Sequence, residues 1–369
     1  LIMSRLPEGD ILEFALQVYA TFGENLSNTP KKIYVFRAIN VVMLSLTVIF
    51  ILEACIEEEG IVLVKTLESA ITVLHVLIKY LSFMYSKEGL KAIVEARLKF
   101  WNPQAINEHV AQFAKKLYSY IKTLNTILLV VFITSSEFYW LKPYFNSGEK
   151  FMLNARVPYN FLPLEAVALL MQYHSLGLIT PIVMTHDALF LAICGHLSVQ
   201  LRLLKCKIYE AAVGEWEDLK TCIEYHQFLS RIFIQMQEIY SWFLLTQYFI
   251  SLGILCVQLY ILNSRALNIA DTIELLLYLG TMYCEVAFYS IPIEDISFKF
   301  LDIGNAIYMS PWYEKGLVRR KKLVIIMMYS QAVRYLKGGG IIPVNVDMLG
   351  SIFRKSFSLY LLLKNVIQK

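Results

Sequence analysis

The stretch IYSWFLLTQYFISLGILCVQLYIL, Ile239 to Leu262, runs for 24 residues without one charged side chain. A bilayer core about 30 Å thick needs roughly 20 mostly apolar residues in a helix, so this segment reads as a membrane span. Outward from it the pattern repeats. Further apolar stretches lie near 35–56, 66–84, 123–141, 161–193, 272–293 and 341–363, which brings the spans to seven. The segments between them differ in charge. Residues 1–33, 85–120, 195–230 and 295–325 carry 19 Lys and Arg, against 7 in 53–68, 141–165, 262–272 and 364–369. Cytoplasmic loops hold the excess of Lys and Arg, so the amino end lies inside. An odd number of spans then places the carboxyl end outside. The expected fold is all-α, a single seven-transmembrane bundle over residues 1–369.

Composition agrees. Hydrophobic residues make up 57% of the chain and charged residues 17%, with a mean hydropathy of +0.52; soluble domains sit nearer 45–50% and 25%. No Pro/Gly/Ser-rich linker divides the chain. The net charge of +4 resides in the basic loops, densest at Arg319, Arg320, Lys321 and Lys322, and reads as a topology signal rather than a nucleic-acid surface. Residues 1–30, with Pro7, Glu8, Asp10 and Glu13, lack the apolar core of a signal peptide, as expected of an amino end that stays inside. Of the six cysteines only Cys55 falls near an outer loop, so no extracellular disulfide framework is expected. Cys194-Gly-His196 stands without companions at ligand spacing, so neither metal nor cofactor is expected. There is no nucleophile elbow, zincin or dinucleotide motif, and no intramembrane Asp/Glu pair at an informative spacing; the chain does not read as an enzyme.

Ionisable groups mark the spans unevenly: Glu68, His75 and Lys79 in the second, Glu137 in the third, His174, His186 and Asp187 in the fourth, Glu274 and Glu285 in the sixth. Such groups face a bundle interior or water rather than lipid. The fourth stretch is longer than a bilayer requires, and the residues after it keep a helical period: Leu197, Leu201, Leu204 and Ile208 recur beside Arg202, Lys205 and Lys207. Spans four and five are therefore expected to continue as helices projecting inward and packing together over about 195–238. The stretch 296–337 has a similar amphipathic, basic and aromatic character, broken at Pro311. Gly338-Gly339-Gly340 lacks the Lys-Ser/Thr of a phosphate loop and is expected to be a helix break or hinge ahead of a last helix over about 341–366.

The carboxyl-terminal text is the most specific. It contains Ala306-Ile307-Tyr308, Pro311-Trp312-Tyr313, the basic run, Tyr329-Ser330-Gln331-Ala332, the glycines, Pro343, Phe353 and Ser356-Phe357-Ser358-Leu359-Tyr360-Leu361-Leu362-Leu363. This resembles the insect odorant receptor family, as do Asp187, Gln200-Leu201, the length and the inverted topology. The resemblance is strong from about 280 onward and weak over 1–120. It implies an odorant-gated, non-selective cation channel in the plasma membrane of olfactory sensory neuron dendrites. Tuning subunits of that family assemble with a common co-receptor into a tetramer around one pore, and the inner projections form a shared anchor. The co-receptor carries a long insertion between spans four and five; about 45 residues link them here, so the chain resembles the tuning, ligand-binding partner.

Carried over residue by residue, the family's outer gate falls on Leu362 and Val366, four apart on one face of the last helix, with Asn365 as a polar neighbour. An apolar ring of this kind blocks ions by dewetting. Arg354, Lys355 and Lys364 depart from the picture, because positive charge in a pore repels cations; either these side chains face away, for instance toward Asp347, or this subunit contributes little to conduction and the co-receptor subunits contribute most. The family's odorant pocket, in the outer half among spans two, three, four and six, falls on Thr72, Val73, Val76, Thr134, Phe138, Tyr173, His174, Gly177, Tyr278 and Met282. Ordinary interhelix packing is the competing account of each, and a bundle histidine satisfied by its neighbours that of His174. A gustatory-receptor-like channel working without the co-receptor, and a seven-span receptor or transporter without a pore, are the alternative readings.

Overall fold

The computed structural model describes residues 10–21, 31–145, 151–153, 162–263, 269–331 and 334–367. A helix follows each run of the sequence pattern. A short α1 (Ile11–Thr21) precedes α2 (Lys31–Ala54) and α3 (Gly60–Tyr85), the first two spans. The helices α4 (Lys87–Ala96) and α5 (Pro103–Ile106) lead into α6 (Glu108–Phe145), the third. The fourth and fifth spans belong to α7 (Leu162–Val213) and α8 (Trp216–Leu262), the sixth to α9 (Ile269–Met309). A break at Ser310-Pro311 precedes α10 (Leu317–Ser330), and the chain closes with α11 (Val346–Ile367). Among the described residues α2, α6, α7 and α8 are long and apolar enough to cross a membrane on composition alone.

Helix lengths explain the inner projections. At 1.5 Å per residue the 52 residues of α7 span about 78 Å and the 47 of α8 about 70 Å, more than twice a hydrocarbon core. The excess continues past the inner face as an antiparallel pair turning at Gly214. The tip of that hairpin is held by α10: Arg319 Nη2 donates to the Ala211 and Glu215 carbonyls at 2.8 and 3.2 Å, and Lys322 Nζ sits 3.9 Å from the Trp216 ring centroid. The Ala211 carbonyl belongs to the last turn of α7, where a cation is favoured, and Glu215 is the residue just ahead of α8.

The glycine run is the point of difference from the sequence expectation. Gly339 and Gly340 lie in the turn of a small antiparallel hairpin, β1 (Lys337–Gly338) with β2 (Ile342–Pro343), and take φ of +58° and +72°. Glycine enters that left-handed region without a Cβ clash. The last helix therefore begins at Val346 rather than near 341, with the Val346 N–H on Glu294 Oε2 at 3.0 Å.

The amino-terminal helix docks under the bundle through one buried acid. Asp10 accepts from His196 Nε2 at 2.7 Å, from Arg97 Nε at 3.0 Å and from the Leu12 N–H at 3.0 Å, while Tyr118 OH meets His196 Nδ1 at 3.0 Å. Burial pulls the Asp10 carboxyl upward, but the hydrogen bond and charge of His196, the Leu12 N–H and Arg97 outweigh it and hold it at about 2. Burial also dominates His196, pushing it below its ordinary value against the pull of Asp10, and holds His226 down to about 4 with Arg334 acting the same way. Both histidines thus bind fewer protons folded than unfolded, so their contribution is complete above pH 6.5 and is lost as pH falls below it. Asp10 keeps its contribution until pH drops below its unfolded value of 3.8. The purified chain should lose about 2 kcal/mol of stability between pH 7.5 and 5 from His226 alone. Thermal unfolding across that range checks this, and His226→Phe should flatten the profile.

Candidate functional site

Two assemblies of residues occupy the membrane half of the bundle. The outer one packs α2, α3 and α7 around Leu44, Val48 and Ile51, Val73, Val76 and Tyr80, and Leu176, Ile182 and Val183. Residues 151–153 of the outer loop reach into it. Gln172 accepts from the Met152 and Leu153 N–H groups at 3.1 and 3.2 Å and donates to the Leu153 carbonyl at 2.9 Å, so its amide pairs with this segment as a second backbone would. Met152 is fully buried as a result.

The residues expected to line a pocket are distributed around this region rather than on one wall. Val73 and Val76 are buried in the α2–α3–α7 core, whereas Met282 belongs to the larger core with Phe243 and Tyr289. Thr72 is half-buried, its hydroxyl donating to the Glu68 carbonyl at 2.9 Å. His174 Nε2 meets Asn40 Oδ1 at 2.9 Å and Asn40 Nδ2 donates to Tyr80 OH at 3.2 Å, so the imidazole is tied into a polar chain linking α7, α2 and α3. An amide oxygen only accepts, which places the His174 proton on Nε2. Gly177 lies on the α6-facing side of α7, where a Cβ would sit 3.8 Å from Trp140. Tyr173 and Thr134 are exposed, the Thr134 hydroxyl bonded to the Val130 and Val131 carbonyls of its own helix. The side chains of Phe138 and Tyr278 lie outside the described residues.

Beneath this layer is a group of charges that the sequence pattern does not reveal. Lys79 on α3, with no exposed surface, donates to Asp187 Oδ1 and Oδ2 on α7 at 2.8 and 3.1 Å and to Glu285 Oε1 on α9 at 2.5 Å. Tyr289 donates to Asp187, and His186 Nδ1 meets the Tyr289 hydroxyl at 3.1 Å. Aromatic rings close over the group, with Phe243 5.7 Å and Tyr289 6.0 Å from Lys79 Nζ. Carboxylates 98 residues apart share one ammonium, so no spacing along the chain announces them. Ionisable residues at membrane depth in three spans were the available signal; their partnership was not. Buried charge of this kind is stable only when paired and hydrogen-bonded, and here the pairing fastens three spans together.

The last helix lies along α8. Met348, Leu349, Ile352, Ser356 and Tyr360 are buried, Ser356 Oγ donates to the Leu252 carbonyl at 3.2 Å, and Lys355 Nζ reaches Tyr248 OH at 2.8 Å. Lys355 thus turns toward α8, not toward Asp347. Arg354 folds back over Gly350, its Nη1 3.2 Å from where a Cβ would stand. The opposite face is unburied in the single chain: Phe353, Phe357, Leu361 and Leu362 are exposed, Leu362 at 64%, and Asn365 is exposed beside it. The Val366 side chain lies outside the described residues.

Seven spans, inward-projecting fourth to sixth helices and a final helix laid on the fifth define a seven-span membrane receptor. Residues 59–357 match the family described as 7tm Odorant receptor, and the chain belongs to that family. It is 27% identical to Odorant receptor 30a of Drosophila melanogaster over 51% of this chain and 48% of that one. It is 24% identical to Odorant receptor Or2 of Anopheles gambiae over 40% and 39%. The chain spans about half the length, or less, of the curated relatives it matches. Its fold is that of the insect olfactory receptor OR5 from Machilis hrabei, solved in complex with eugenol: TM-score 0.82 over 96% of this chain and 97% of that one, at 15% identity. These relatives are receptors, not enzymes.

Proposed function

We propose that the chain is the odorant-binding subunit of a ligand-gated, non-selective cation channel in the plasma membrane of olfactory sensory neuron dendrites. A small volatile in the outer bundle opens it, and an odorant receptor co-receptor completes the assembly, a heterotetramer. The observation that carries this reading is the last helix, which buries one face on α8 and leaves Phe353, Phe357, Leu361 and Leu362 of its other face uncovered. Such a face at membrane depth suits a helix that meets others around a shared axis. In that assembly Leu362 and Val366 form the outer constriction with Asn365 beside them, Lys355 is kept off the conduction path by Tyr248, and the inner projections 195–238 and 296–337 form the anchor. The relatedness to odorant receptors and the eugenol complex of the structural neighbour support a small organic ligand.

A ligand of about ten heavy atoms draws about 0.3–1.5 kcal/mol per atom, so micromolar potency is expected. Opening requires that it bind the open state more tightly than the closed one. Whole-cell recording with a panel of volatiles tests the reading: current should appear only when the chain is expressed with the co-receptor. Current from the chain alone would establish a self-sufficient, gustatory-like channel instead. In the co-expressed channel Leu362→Ala should widen the constriction and raise the basal current several-fold; an unchanged basal current would remove Leu362 from the gate.

A further inference from the structure

Arg354 stands in the inner half of α11, on the side that the rest of the bundle leaves uncovered. Met348, Leu349, Ile352, Ser356 and Tyr360 form the buried side of this helix. The uncovered side divides into two stripes. Phe353, Phe357 and Leu361, four apart, make an apolar ridge. Beside it Ser351, Arg354, Ser358, Leu362 and Asn365 recur at intervals of three and four, which places them on a second, mostly polar stripe. Arg354, Ser358, Leu362 and Asn365 are exposed and Ser351 is half-buried. Leu362 thus shares its stripe with one guanidinium, two hydroxyls and one amide.

The two cations at this level are held differently. Lys355 Nζ meets Tyr248 OH at 2.8 Å, which draws it toward α8. The Arg354 guanidinium forms no ion pair or hydrogen bond among the described residues and lies back along its own helix beside Gly350. At 1.5 Å per residue its Cα is about 12 Å along the helix from both Val346 and Leu362, which puts it at membrane depth. An unpaired guanidinium against lipid there is costly, and such groups face a water-filled cavity or a partner. The run of Ser351, Arg354 and Ser358 suits water. The neighbouring ridge of Phe353, Phe357 and Leu361 suits lipid or another helix.

Resting on the reading that α11 lines the conduction path, we infer that Arg354 faces that path on the inner side of Leu362 and sets its preference for monovalent over divalent cations. A fixed positive charge acts on a permeating ion in proportion to the charge of that ion. Where the guanidinium raises the local potential by about one kT per unit charge, occupancy by Na+ falls about threefold and by Ca2+ about ninefold. The ratio of the two drops about threefold, while Na+ and K+, equal in charge, are not told apart. A positive residue on the stripe is thereby compatible with a channel that passes cations: it lowers conduction without closing the path and discriminates by valence.

Reversal potentials test it, measured in cells that co-express the full chain with the co-receptor and are bathed in turn in Na+ and in Ca2+ as the external cation. The stimulus is a volatile of the panel that evokes current from the wild type. Arg354→Gln should raise PCa/PNa about threefold, and Arg354→Lys, which keeps the charge, should stay within about 1.5-fold of wild type. Ser358→Cys probes the same stripe independently. Relative to treated wild type, its reaction with a trimethylammonium-bearing methanethiosulfonate should lower PCa/PNa, and methyl methanethiosulfonate should leave the ratio unchanged. Phe357→Cys on the ridge should respond to neither. Where Arg354→Gln fails to reach the surface, Ser358→Cys decides alone. An unchanged ratio in Arg354→Gln, an equal rise in Arg354→Lys, or equal responses of Ser358→Cys and Phe357→Cys overturns the assignment and leaves the channel reading standing. Wild-type protein at the surface with no current in either expression condition, for any volatile of the panel, overturns the channel reading and the assignment with it.

Discussion

Lys79→Met should abolish surface expression of the chain and with it any evoked current. The ammonium is fully buried and is the shared cation of Asp187 and Glu285. Methionine fills a similar volume but leaves two carboxylates facing each other among Phe243, Tyr289 and His186. Removing one partner of a buried pair costs about 3–5 kcal/mol, a large fraction of the 5–15 kcal/mol that holds a typical domain together. The loss comes from uncompensated charge rather than from missing volume. The triple variant Lys79→Met, Asp187→Asn, Glu285→Gln should therefore recover much of the expression, because replacing the whole group avoids stranding any charge. Surface biotinylation of the two variants beside wild type reads both outcomes; wild-type expression of Lys79→Met would show that the three groups do not depend on one another. The recovered triple variant also separates stability from signalling. If the charges fix how α3, α7 and α9 sit beneath the ligand, it should reach the membrane with a shifted EC50.

Gly338→Ala is the second variant with a large expected effect. A Cβ at that position would stand 2.9 Å from the Leu245 nitrogen and 3.1 Å from the Leu244 carbonyl carbon. Those are backbone atoms of α8 and cannot rotate away as the end of a side chain would. The hairpin must lift, which strains its attachments: the Gly339 N–H on the Ser241 carbonyl at 2.8 Å, Gln237 Nε2 and Ser241 Oγ on the Lys337 carbonyl at 2.8 and 3.0 Å. Overpacking of this kind costs about 1–3 kcal/mol, a bias of about thirtyfold at 2 kcal/mol against the docked hairpin. Since the hairpin feeds directly into α11, the change should appear as reduced or destabilised channel opening in chains that still reach the surface. Gly340→Ala, where nothing lies within 4 Å of the added carbon, should carry only the cost of a positive φ and be milder. Equal effects of the two would show that the close approach to α8 is not what Gly338 serves.

The linear sequence carries the seven-span fold, its orientation and the inward extension of α7 and α8. The reason is local and one-dimensional: apolar run length against bilayer thickness, Lys and Arg counts in alternate loops, and a leucine period that continues past residue 193. It also located the break at Pro311 and the specific text of the final helix. It did not determine the conformation of Gly338 to Gly340, since a glycine run suits a hinge and a tight hairpin equally, and the choice was made by the backbone of α8 lying against it. Nor did it determine the partners of the ionisable residues. Lys79, Asp187 and Glu285 were visible as costly groups in three spans, yet which face each helix turns inward is set by packing, and only packing brings two carboxylates onto one ammonium. The same holds for α3, whose Val73–Val76 side and His75–Lys79 side enter different cores although one turn of helix contains both. Charge and hydropathy patterns are properties of a single segment and can be read from it; convergence of side chains from α3, α7, α8 and α9 is a property of the folded bundle, and it exists only once the helices have been rotated against one another.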